Sequence, residues 1–200
     1  QTIGADQGSQ GGQQAQAGNQ ARDTNPTALL AYFGNKSEIE VTGEGGTSRP
    51  NITYGMELRV GDTVSTNGTI AELKLEPNGS IIKLSRNTAF TVDELQRSDD
   101  STNAFSMAKG KMRAVAASVK KGNRYRVSTP SAVCGVRGTD FGVISKPGGE
   151  EERAFVAQGQ LEYRKQGSDT SILLNSREMA SALEDTLRKV KMSQEQLNNL

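Results

Sequence analysis

The sequence predicts an all-β domain, and three observations carry that prediction. From residue 38 onward, apolar and polar residues alternate in short runs, the period of two that a half-buried strand requires. Gly, Asn and Pro break those runs at roughly 8 to 12 residue spacing, as in sandwiches, barrels and solenoids of many short strands. No long helical pattern separates the runs. With 34% hydrophobic but only 4% aromatic residues, the core has to be built from Val, Ile, Leu and Ala.

The elements follow in chain order. Residues 1–26 hold seven Gln and five Gly, with Ile3 as the only large aliphatic residue. Such a segment buries too little apolar area to offset its ordering entropy, so it reads as a flexible arm or one that orders along a partner. Residues 27–37, beginning "TALLAYFG", read as a connector, one helical turn or a short strand, joining the arm to the body. The β-domain then runs over 38–180. "TIAELKLE" (69–76) follows Asn67-Gly68, and "SIIKL" (80–84) follows Asn78-Gly79. Both Asn-Gly pairs are tight-turn signals, because each residue tolerates positive φ. Further strands are expected at 56–60, 88–92, 104–109, 111–118, 124–128, 139–145, 153–157, 161–164 and 171–174. Residues 181–200 close the chain as a helical segment, with Leu183, Leu187 and Val190 at helical spacing and Ser193 as a cap for a last helix over 194–200.

Composition narrows the chemistry. The chain has no histidine, a net charge of +1 and one cysteine, Cys134. The commonest general base and transition-metal ligand is therefore missing, and no internal disulfide can form. No phosphate loop, zinc spacing or EF-hand loop is present. Cys134, between Val133 and Gly135, reads as a buried inert thiol. Asn51, Asn67 and Asn78 head Asn-x-Ser/Thr triplets, but two of them coincide with Asn-Gly turns, and turn formation explains them more simply than glycosylation. No apolar run reaches the roughly 18–20 residues of a membrane-spanning helix. No catalytic residue, metal or cofactor is expected, and the chain reads as a non-enzyme.

The least random stretch is "STPSAVCGVRGTDFGV", Ser128 to Val143. Thr129-Pro130 should end a strand, since proline cannot donate to a ladder. Val133, Val136 and Phe141 can then enter the core, and Gly135 and Gly138 permit turns or close backbone approach. Arg137, with five donors, suits a clamp on loop carbonyls, so that Arg137→Ala should lower the melting temperature; an anion or partner contact is the other reading.

Together with its neighbours this stretch resembles the FecR domain of bacterial cell envelopes. "MELRVGDTVSTNGTIAELKLEPNGSIIKL" is similar to the family's opening and "NTAFTVDEL" to its next strand. "YRVSTPSAVCGVRGTDFGV", with Thr129, Pro130, Val136, Arg137, Gly138 and Thr139, resembles its most specific motif. "AFVAQGQLEYR" and "LLNSREMA" resemble the strands that close it. Five pieces in order over 38–180 imply a twisted sandwich or solenoid-like all-β fold. Two departures, Arg177 where the family usually has glycine and Cys134 where another small residue is commoner, leave that fold intact. Founding members of the family join this domain to an anti-sigma segment and a membrane helix. The Gln/Gly-rich start resembles neither.

Between Ser101 and Thr139 lie eight basic residues and no acidic one. Lys109/Lys111/Arg113 and Arg124/Arg126 have the i, i+2 spacing of one strand face. With Lys120 and Lys121 they form a candidate basic stripe, either a solvated face or a surface for an acidic protein or an anionic cell-wall or lipid polymer. Nucleic acid is disfavoured, with only Tyr125 there to stack bases.

The expected function is that of a periplasmic or exported protein, its targeting segment already removed, that binds other envelope proteins as a structural subunit of a sheath or filament-associated assembly. The alternative is a sensor or signalling module of the FecR type acting with a separate membrane partner. A glycan-binding module is the weaker third, since the chain has no Trp and four Tyr.

Overall fold

The computed structural model describes residues 26–97, 102–117, 124–182 and 187–198. The arm, apart from Pro26, and Lys120 and Lys121 of the basic stripe lie outside those residues. Among the described residues there are sixteen strands, and most of them bury one set of alternate residues. In β5 (Ala71–Glu76), for example, Ala71, Leu73 and Leu75 are buried while the residues between them are not. A strand with one apolar face needs a second sheet over it, and the chain supplies two.

The first sheet runs in the order β3 (Met56–Leu58), β1 (Thr27–Phe33), β5, β6 (Ile81–Leu84), β8 (Asn103–Val115), β11 (Asp140–Ser145), β12 (Glu152–Gln158), β15 (Glu178–Ser181) and β16 (Lys189–Lys191). The second runs β2 (Ile39–Thr42), β4 (Thr63–Thr66), β7 (Thr88–Glu94), β8, β9 (Tyr125–Ser128), β10 (Ala132–Val136), β13 (Gln160–Lys165) and β14 (Ser171–Asn175). Both sheets are open. All pairs are antiparallel except β8 with β9.

Strand β8 belongs to both sheets. Its first half, from Asn103 to Lys109, pairs with β7 and β9 in the second sheet; its last half, from Gly110 to Val115, pairs with β11 and β6 in the first. The change of sheet occurs at a bulge after Met107 and at Gly110, whose φ is +114°. This single strand replaces the two expected over 104–109 and 111–118.

On each side of β8 the chain repeats one path. β4 leaves the second sheet for β5, a hairpin containing Pro77 leads to β6, and the chain returns to β7. β10 leaves the same sheet for β11, a loop containing Pro147 leads to β12, and the chain returns to β13. The two outgoing corners read Thr66-Asn67-Gly68-Thr69 and Val136-Arg137-Gly138-Thr139, and both threonines are buried. Asn67-Gly68, expected as a tight turn, is a corner between sheets, and neither residue has the positive φ that the expectation rested on. Asn78-Gly79 does turn a hairpin, with Gly79 at φ +74° and Asn78 accepting the Ser80 amide.

Two further expectations are corrected. Of the two readings of 27–37 the short strand holds and the helical turn does not, but that strand, β1, lies inside the first sheet between β3 and β5 and is not a connector to it. Its apolar run conceals the alternation, because a bulge between Leu30 and Tyr32 shifts the register and turns Phe33 inward beside buried Ala28 and Leu30. The helical reading across Leu187 and Val190 fails because Lys189–Lys191 pairs with Glu178–Ala180 as a strand. Leu183 lies outside the described residues. Helix α1 (Gln194–Asn198) is where a last helix was expected, and Ser193 and Gln196 cap each other reciprocally, amide to side chain, at 2.8 and 3.2 Å.

Candidate functional site

Among the described residues the expected basic stripe does not form one surface, because β8 changes sheets within it. Lys111 and Arg113 follow Gly110, in the half of β8 that pairs with β11 of the first sheet, while Arg124 precedes and Arg126 lies in β9 of the second. Arg113 is also spoken for, bound through two nitrogens to Asp140 at 2.9 and 2.8 Å. Lys109 is exposed on the other side of the Gly110 kink.

The second sheet instead gathers a different set. On β9, β10, β13 and β14 the residues that alternate with the buried ones form an outer face. Register places Arg126, Gly135, Glu162 and Leu173 side by side across the four strands. Val133 sits beside Arg164 in the next row, and Arg124 and Arg137 lie just beyond the paired Tyr125 and Val136. These residues line a groove of about 560 Å3. Arg124, Arg126, Arg137, Arg164 and Glu162 are exposed, and none of them forms an ion pair among the described residues. A second concavity, near Glu151 and Arg153, differs in this respect: Glu151 is paired with Lys146 at 2.7 Å and Arg153 at 3.6 Å.

Arg137 therefore joins the groove and does not clamp the fold. It is exposed, and its guanidinium makes no hydrogen bond among the described residues. The lock is Thr139, whose buried hydroxyl lies 2.7 Å from the Gln160 carbonyl and 3.2 Å from that of Arg137. That bond ties the corner leaving β10 to the corner returning to β13, where Gly159 packs against Thr139. Thr139→Val should lower stability by about 1–2 kcal/mol, the scale of a buried hydrogen bond left unmade, while Arg137→Ala should leave the melting temperature unchanged. Thermal denaturation of the two variants checks both.

The rest of the motif is structural. Thr129 ends β9: its hydroxyl accepts the Ala132 amide at 3.0 Å and contacts the buried carboxyl of Glu152 across the sandwich. Pro130 is exposed in the turn. Val136 and Phe141 enter the core as expected, whereas Val133 points outward, half-buried in the groove. Cys134 is fully buried opposite Val127 and Tyr163, and burial pushes its thiol pKa far up. Tyr125 turns its ring inward and holds the Ser80 hydroxyl at 2.5 Å, so it offers no stacking platform.

With this geometry in view, comparison with known proteins is decisive for the family. The model of the family described as FecR protein matches residues 62–162. The chain belongs to the FecR family. The matched FecR stretch begins at Asp62, which is buried and fixed by Arg49 and the Arg59 amide, and it takes in both sheet-switching paths. No curated protein matches the chain. Two crystal structures, each described as a candidate anti-sigma factor from Parabacteroides distasonis ATCC 8503, share the fold with TM-scores of 0.57 and 0.56 at 19% and 18% identity. Each match covers 68% of this chain and 62% of the other, so the chain spans less than two thirds of those proteins. At that level of identity what is shared is the fold, and a structural subunit of an envelope assembly gains no support from either comparison. Among the described residues no helix is long and apolar enough to cross a membrane.

Proposed function

We propose that the chain is the non-enzymatic sensor module of a FecR-type signalling system, exported to the periplasm, where it engages another protein and passes that state to a membrane partner. The family match and the fold of the anti-sigma neighbours support a signalling role. The observation that carries the reading is the groove on the second sheet. It gathers four exposed arginines beside the single carboxylate of Glu162, none of them in an ion pair among the described residues, as a surface completed by a partner would.

Transcript profiling tests the reading in the native organism, comparing parent, deletion strain and complemented strain. A small set of transcripts should change at least fivefold on deletion and return on complementation. An unchanged transcriptome, with the protein recovered in fixed ratio with an envelope assembly, would refute the sensor reading.

A further inference from the structure

Gly135 occupies the middle of β10 without a backbone reason to be glycine. Its φ is not positive, and an added Cβ would meet nothing nearer than the Glu162 Cβ at 4.0 Å. Glycine inside a strand weakens it, and where the fold does not require one it often marks the place where another chain approaches closely. Here it lowers the floor of the arginine groove, between half-buried Val133 and the 49%-exposed Leu173.

We propose that this groove docks an acidic peptide segment of a partner protein, with carboxylates meeting Arg124, Arg126 and Arg137 and an apolar side chain lying over Gly135. The proposal rests on the sensor reading and names its partner's chemistry. Among the described residues every cation of the groove is arginine, whose planar fork matches a carboxylate through two hydrogen bonds. Four arginines against Glu162 leave an excess of three positive charges (4 − 1) on one face. Glu162 lies next to Gly135 in register, so a uniformly charged polymer would press an anion onto it. A peptide can set an apolar residue there, against Gly135 and Leu173. The contact is made on the face and not by strand addition at this point of the edge, because the Leu173 carbonyl on the free edge of β14 is already taken by the Lys189 ammonium at 3.1 Å.

Fluorescence anisotropy of the whole chain with a labelled nonapeptide of alternating glutamate and leucine is the test, with its glutamine counterpart and inorganic polyphosphate as comparison probes. Two variants separate charge from shape. Arg126→Gln/Arg137→Gln removes charge, while Gly135→Val fills the floor and keeps all four arginines. Gly135→Val should melt at or above the parent temperature. Peptide affinity should fall at least tenfold in each variant and for the glutamine peptide. Retained peptide binding in Gly135→Val, or polyphosphate binding as tight as the peptide and lost only with the arginines, would overturn the proposal in favour of a diffuse polyanion patch. So would absence of peptide binding. Transcript profiling of the same variants separates this failure from that of the sensor reading: a response to deletion but not to the groove variants removes the docking site and leaves the sensor.

Discussion

Replacing Gly110 with alanine is expected to lower stability by about 4 kcal/mol, the sum of backbone strain and overpacking that each cost roughly 1–3 kcal/mol. The residue has φ +114°, where side chains other than hydrogen are strained. An added Cβ would stand 2.3 Å from the Thr88 Oγ1 and 2.4 Å from the Thr88 Cα, so rotating the threonine side chain cannot relieve the overlap. Thr88 is buried and cannot withdraw, since its hydroxyl lies 3.2 Å from the Lys111 amide and 3.3 Å from the Lys111 carbonyl at the point where β8 changes sheets. For a chain of this length the melting temperature should fall by roughly 8–16 °C. A loss below a few degrees would mean that the kink is not what couples the two sheets.

The same kink explains why the fold was more legible than the site. Alternation predicted the positions of β5, β6, β7, β9, β12, β13 and β14 within a few residues, because each buries one face and shows its period in the sequence. A bulge in an apolar run leaves β1 open between a helical turn and a short strand, and β16 is hidden by residues that also fit helical spacing. Neither is settled without the partner strand. The basic stripe failed for a different reason. Spacing of i, i+2 reports a shared face only while a strand stays in one sheet, and Gly110 sends Lys111 and Arg113 to the first sheet while Arg126 lies in the second. Arg164 was missed because it lies across two strand pairings from Arg126, a proximity created by register alone. The one available signal was Gly135, a glycine inside an alternating run with no turn attached to it.

Glu152→Gln is expected to stabilise the domain by roughly 1–3 kcal/mol at neutral pH, the scale of a buried polar group short of partners, and to change nothing in acid. Glu152 is 1% exposed and points inward from β12 opposite Ser145, towards the Thr129 hydroxyl. No cation pairs with it among the described residues. Burial raises its carboxyl pKa above the ordinary value of 4.5, and hydrogen bonds from Thr129 and Ser145 offset that only in part. The folded state therefore holds this proton more tightly than the unfolded chain. Below about pH 4.5 both states are protonated and the group contributes no penalty. As pH rises from there towards the raised folded value, only the unfolded chain releases its proton, and stability falls. Glutamine copies the protonated form, accepting from one hydroxyl and donating to the other. The melting curves of parent and variant should coincide near pH 4 and separate by a few degrees towards pH 7, with the variant higher. A variant that melts lower at pH 7 would show that the carboxylate is ionised and compensated between the sheets, and that the Thr129–Glu152 contact holds the sandwich as a charged bond and not as a neutral one.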